Sequence, residues 1–138
     1  MQQTRVNWLA VLVCVILHML LGGAWYSVWG LQWMELSHVT MLDSSHAGPM
    51  PYVEAVVCAI LVAVLLSYLL PKLGAMTFGG GLKWAFLISA VFVFASGTVT
   101  YAFSLRPFEL SLIDHLYPLI SFSLMGGIVA AWRRKAKA

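Results

Sequence analysis

The sequence predicts an all-α integral membrane fold: a four-transmembrane-helix antiparallel up-down bundle, both termini cytoplasmic, with a short interfacial helix in the first outer loop. Three observations predict it. Hydrophobic residues make up 62% of the 138 and charged residues 9%, against roughly a quarter charged in soluble domains. The apolar residues fall in four runs, each close to the ~20 residues that cross a ~30 Å hydrocarbon core as a helix. Seven of the eight Lys and Arg residues lie in segments that this threading puts on one side, and the positive-inside rule makes that side cytoplasmic. Helices are the expected spans because lipid offers backbone N–H and C=O groups no partner and a helix satisfies them internally.

The same asymmetry accounts for the formal charge of +3 without invoking nucleic acid. The partner that the composition requires is a lipid bilayer. The length suits one domain, residues 1–138. Cys14 and Cys58 both fall inside predicted spans, which argues against a disulfide framework.

A short polar lead with Arg5 precedes the first span, residues 7–30. An apolar run after a positive charge, with Gly22-Gly23-Ala24 as a loose cleavage site, is also the pattern of a secretory signal. This run is longer than a signal core and aromatic residues continue past it, so an uncleaved span is expected. The connector, residues 31–50, carries Glu35, His38, Asp43 and His46 and no Lys or Arg, which places it outside. Its first half suits a short helix on the interface, with Trp33 and Leu36 toward lipid, ended by Pro49 and Pro51.

The second span is residues 52–70, with Pro71 and Lys72 at its exit. Between Lys72 and Lys83 the chain reads as a flexible cytoplasmic turn, since Gly79-Gly80-Gly81 has neither the spacing nor the preceding strand of a phosphate-binding loop. In the third span, residues 82–103, Ser89, Val93, Ser96 and Thr100 recur at helical spacing and form one small face. A tight outer turn around Arg106-Pro107 leads into the fourth span, residues 110–132, where Ser123, Gly127 and Ala131 repeat a small-xxx-small pattern. A basic anchor, Arg133-Arg134-Lys135, closes the chain. Four spans with short connections favour up-down-up-down order, and the small faces predict a homo-oligomer or a membrane-protein partner.

Two clusters carry candidate chemistry. His18 lies about 16 Å into the first span, near mid-depth, on a stripe with Asn7, Cys14, Gly22, Trp25 and Trp29. An ionisable residue at that depth must face protein or water and find a partner. It is either a ligand-binding group or packing glue bonded to Ser96 or Ser121. At the outer end, Glu54, Arg106, Asp114, His115 and Tyr117 share a level with Trp25 and Tyr26. Arg106 is placed to pair with Glu54 or Asp114; the set reads as a site for a small polar or cationic ligand or as an interfacial ion-pair network with an aromatic belt. In the loop, Met34, His38, Met41 and His46 are thioether and imidazole groups of the type that holds copper(I), but their spacing matches no compact metal motif and no metal or cofactor is expected.

Enzyme motifs are missing from the sequence: there is no nucleophile elbow and no HExxH. Asp114 and His115 are neighbours and so point about 100° apart on a helix.

Several short stretches, in order, resemble the bacterial family catalogued as domain of unknown function 1761. They are Asn7-Trp8-Leu9-Ala10, Gly23-Ala24-Trp25-Tyr26-Ser27, Trp33-Met34, Gly81-Leu82-Lys83-Trp84, Arg106-Pro107, Leu112-Ile113-Asp114, Tyr117 and Met125-Gly126. The resemblance implies a small four-helix inner-membrane protein and no activity. It leads one to expect Gly-Tyr-His in the fourth span, where this chain has Leu116-Tyr117-Pro118 with His115 on the other side of the tyrosine. The leading expectation is a non-enzymatic membrane protein acting as a homo-oligomer or accessory subunit. The alternative is small-ligand, ion or metal binding or transport at the outer face.

Overall fold

A computed structural model describes residues 6–133, which are helical with short connections. Helix α1 is Trp8–Ser37, α2 Met41–His46, α3 Met50–Lys72, α4 Phe78–Ser89, α5 Ser96–Phe103 and α6 Phe108–Ala131, with a π-helical stretch, Ala90–Ala95, joining α4 to α5. Four helices are long and apolar enough to cross a membrane: α1, α3, the continuous Phe78–Phe103 and α6. Arg5, Arg134, Lys135 and Lys137, on which the basic-end argument partly rests, lie outside the described residues.

Each helix begins and ends where local chemistry dictates. The Asn7 side chain caps α1 by accepting from the Leu9 N–H at 3.2 Å, and its own amide donates to the Trp132 carbonyl at 2.9 Å, so one residue ties the first span to the end of the last. At 30 residues, α1 is about 45 Å long and outruns a ~30 Å hydrocarbon core. This corrects the expected boundary near Gly30: the stretch read as the start of an interfacial helix continues α1 until His38, in the left-handed conformation (φ 58°), stops it. The loop helix is instead the six-residue α2, closed by a reciprocal Thr40–Asp43 capping box. Pro51 sits in the first turn of α3, where its missing N–H costs nothing.

The triple glycine is helical rather than a flexible turn. Thr77 caps α4 by accepting from the Gly80 N–H at 3.1 Å, and a side chain at Gly81 would run into the Gly126 carbonyl and Ala130. Packing of α4 against α6 at backbone contact supplies what glycine loses in helix propensity.

Helix α6 is the centre of the bundle, packed against α1, α3, α4 and α5. Half of its most apolar window is buried, against 22% in α1 and α3 and 6% in the third span. Its contacts with α1 run from Asn7 with Trp132, through Cys14 with Met125 and His18 with Ser121, to Tyr26 with Asp114, so the two are antiparallel. The core is built from small and aliphatic residues: Cys14 on α1, Ala59, Ala63, Leu66 and Leu70 on α3, Ala85 on α4, and Met125 and Val129 on α6. Both cysteines are free thiols.

The π-helical stretch changes which face of the third span is inside. On an ideal α-helix, Gly81 and Tyr101 would lie about 200° apart. A π-turn absorbs an extra residue and turns the later part back. Consequently Gly81, Ala85 and Ser89 are buried below it, while Gly97, Thr98 and Tyr101 are partly buried above it. Ser96 and Thr100 are exposed, so the predicted small face is split. In α6, Ser123 and Gly127 are buried within this chain and Ala131 is exposed; Gly127 is used against Phe78 of α4.

Candidate functional site

Two hydrogen-bonded clusters lie on α6, each completed by another helix. In the first, buried His18 uses both ring nitrogens: Nδ1 is 2.8 Å from the Ser121 hydroxyl and Nε2 is 2.9 Å from the Tyr117 hydroxyl. That hydroxyl also donates to the His18 carbonyl at 2.9 Å. With its proton on Nε2, a neutral imidazole donates to Tyr117 and accepts from Ser121, so no polar atom of the ring is left unpaired. The ring stacks between Tyr117 and Phe122, at centroid distances of 5.0 and 5.7 Å. Gly22 makes this possible, since a Cβ there would sit 2.8 Å from the Tyr117 oxygen.

In the second cluster, the half-buried Asp114 carboxylate accepts from Tyr26 of α1 at 2.9 Å and from Tyr101 of α5 at 2.7 Å, one hydroxyl to each oxygen. Hydrogen bonds to a charged group are worth roughly 1.5–3 kcal/mol each, so this carboxylate joins three helices. One turn on, Pro118 lacks the N–H that would bond the Asp114 carbonyl, which loosens α6 locally. The clusters meet where the Tyr26 and Tyr117 rings touch edge to face at 6.1 Å.

His115 lies on the α5 side of this junction, its ring edge to face with Tyr101 at 4.9 Å. Its Nδ1 is 3.0 Å from the Ser111 hydroxyl and 2.8 Å from the Ser111 carbonyl, and its ring lies flush on Gly97, where any Cβ would collide with it. Ser111 donates in turn to Thr98 at 3.1 Å. This is a joint between α5 and α6.

Beside the junction is a cavity of about 590 Å³, walled by Gly22, Gly23, Tyr26, Trp33 and Met34 of α1, Pro51, Tyr52 and Ala55 of α3, Ser44 of α2 and Tyr117 of α6. Its aromatic walls are braced from behind. The Tyr26 and Tyr117 hydroxyls are engaged by Asp114 and His18, and Trp33 packs edge to face on Tyr26 at 6.1 Å.

Of the residues singled out by the sequence, the structure brings together His18 with Tyr117 and Tyr26 with Asp114. Trp25 donates from its indole N–H to the Ile113 carbonyl at 2.9 Å, fastening α1 to α6. Arg106 is exposed and its guanidinium lies 5.8 Å from the centroid of the Tyr101 ring; of the two carboxylates expected to pair with it, Asp114 is engaged by tyrosines. Glu54 is exposed on α3 and is joined to none of these residues by a hydrogen bond or ion pair among the described residues. Met34 lines the cavity, His38 ends α1, and Met41 and His46 begin and end α2. Among the described residues no three His, Cys, Asp or Glu side chains are grouped to hold a metal. Tyr101, Ser111, Thr98 and Gly97 escaped the sequence reading. The available signal was Asp114 itself: a carboxylate in a span needs donors, and every tyrosine at its level is a candidate.

The helices and these clusters define a four-span helical membrane protein with a hydrogen-bonded polar junction toward one end of its bundle. The particular family follows from the sequence. Residues 9–130 match the family model described as "Protein of unknown function (DUF1761)", and the chain belongs to that family. No curated protein and no solved structure matches it.

Proposed function

We propose that this chain is a bacterial inner-membrane protein, with both termini cytoplasmic, that binds a small, largely apolar molecule without transforming it. The observation that carries the reading is the cavity of about 590 Å³ walled by Tyr26 and Tyr117, whose hydroxyls are tied to Asp114 and His18. Its size falls in the roughly 300–1,000 Å³ range of small-ligand sites. Aromatic walls held in fixed rotamers bind a ligand with less ordering cost than free ones. The orientation rests on the basic residues, which favour a cytoplasmic position for the termini and an outer one for the Asp114 end.

Gly23 provides the test, because it lines the cavity and a Cβ there meets nothing within 4 Å. Gly23→Leu is expected to fill the cavity and leave the fold intact. Native mass spectrometry of protein extracted with its native lipids should show a small molecule retained on the wild type and lost from Gly23→Leu. Bare wild-type protein, or equal retention by both, would rule the reading out.

A second reading, assembly with another copy or a partner subunit, is favoured by one observation: Ser96 and Thr100 are exposed, one turn apart, on the third span. The Thr100 hydroxyl donates to the Ser96 carbonyl at 3.1 Å, and this strip of small side chains is open to close helix packing. Crosslinking of Ser96→Cys between copies in membranes tests it; absence of any dimer under oxidising conditions would count against self-association there.

A further inference from the structure

A second, smaller cavity of about 240 Å³ lies between α1 and the start of α6, on the Trp25 side, with Trp25, Trp29, Gln32, Glu109 and Leu112 in its wall. It is below the range of drug-sized ligand sites and has room for a small group only. Trp25 and Trp29 are one turn apart on α1, with ring centroids 6.4 Å from each other and planes at 46°. The Trp25 ring is fixed by its bond to the Ile113 carbonyl. Glu109, in the first turn of α6, and Gln32 also border the space, whose wall is mostly apolar. Arg106, the cation nearest Glu109 in sequence, has its guanidinium by the Tyr101 ring. Two indoles around a small space, with an acidic residue among those that line it, suit a cation: tryptophan gives the strongest cation–π attraction, and Glu109 supplies negative charge close by. The site lies about 26–32 Å along α1 from Trp8, where a ~30 Å hydrocarbon core ends.

We propose that the Trp25–Trp29–Glu109 pocket binds an organic ammonium group. At this level the group comes either from an aminophospholipid headgroup or from a free amine. The test uses full-length protein in phosphatidylglycerol nanodiscs, titrated with tetramethylammonium chloride against a potassium chloride control and followed by relaxation of the tetramethylammonium methyl protons. A saturable response is expected, weakened about tenfold by Glu109→Gln and by Trp29→Leu, the loss of one partner of a cation–π or charge contact. Both positions are exposed, and unchanged circular dichroism will show that both variants remain folded. Two further nanodiscs of equal surface charge separate the sources, phosphatidylglycerol mixed with phosphatidylethanolamine and phosphatidylglycerol mixed in the same proportion with uncharged digalactosyldiacylglycerol: a curve at higher concentration in the first assigns the pocket to the lipid headgroup, equal curves to a free amine. No saturable response in phosphatidylglycerol, or a curve unchanged by either variant, overturns the proposal.

Discussion

The Tyr117 hydroxyl sits 2.9 Å from both the Nε2 and the carbonyl oxygen of His18, so one side chain of α6 satisfies a buried ring and grips the backbone of the facing helix. The contact depends on Gly22, whose Cβ position is 2.8 Å from that hydroxyl. Tyr117→Phe leaves Nε2 unpaired and is expected to cost about 1–3 kcal/mol. Gly22→Ala should cost a similar amount, about 1–3 kcal/mol, by overpacking. The two act on the same atom, so the double variant should lose less than the sum. Reversible unfolding of the four proteins in mixed micelles measures this; strict additivity would show that Gly22 does not serve the Tyr117 contact.

Asp114 is the acceptor for hydroxyls from two other spans. Asp114→Asn replaces one acceptor oxygen by a donor, so one tyrosine loses its partner, at an expected cost of about 1–3 kcal/mol. Removing the stranded hydroxyl with Tyr101→Phe in the same protein should recover part of that loss. Thermal unfolding of the single and double variants decides it, and a double variant as unstable as the sum would place the cost elsewhere.

Gly127 illustrates why a small-residue motif does not identify an oligomer interface. Its Cβ position lies 2.7 Å from a ring carbon of Phe78 in the same chain. Gly127→Leu is therefore expected to destabilise the monomer by about 1–3 kcal/mol, with partial recovery in Gly127→Leu/Phe78→Ala. A Gly127→Leu monomer as stable as wild type would contradict this packing.

Helix α2 should respond to pH by itself. Hydrogen bonds from the Thr40 hydroxyl and N–H, at 2.6 and 2.9 Å, hold the Asp43 carboxyl below its ordinary value. A carboxyl with a depressed folded pKa stabilises the fold above its unfolded value, about 3.9, and that contribution disappears as pH falls through the lower folded value. Acidification through this window is expected to unwind Met41–His46 while the spanning helices persist. Amide chemical shifts of Thr40 and Asp43 report it, and Thr40→Val, which removes the hydroxyl but keeps the N–H, should move the transition to higher pH; a cap unaffected by acid would show that the carboxylate is dispensable.

The difference between what could be read in the chain and what could not has a geometric cause. Four apolar runs and one-sided basic residues are one-dimensional properties, so the helical membrane class was legible at once. The inner part of the α1 stripe was equally legible, because in an uninterrupted α-helix the 3.6-residue period carries the same face along: Asn7, Cys14 and His18 are buried, whereas Trp29 at its far end is exposed. Of the two partners expected for His18, Ser121 is the one it meets, at 2.8 Å, and Ser96 is exposed.

The tertiary structure alone decided the rest. The π-helical stretch Ala90–Ala95 changes the phase of the third span, so counting through it put Ser89, Ser96 and Thr100 on one face and missed Tyr101. The central role of α6, the use of Gly127 within the chain and the pairing of Asp114 with two tyrosines all depend on how helices distant in sequence are set against one another. Composition and period specify that each helix has a buried face. Which residues meet across those faces is specified by the relative height and rotation of the helices, and these arise only when all of them pack together.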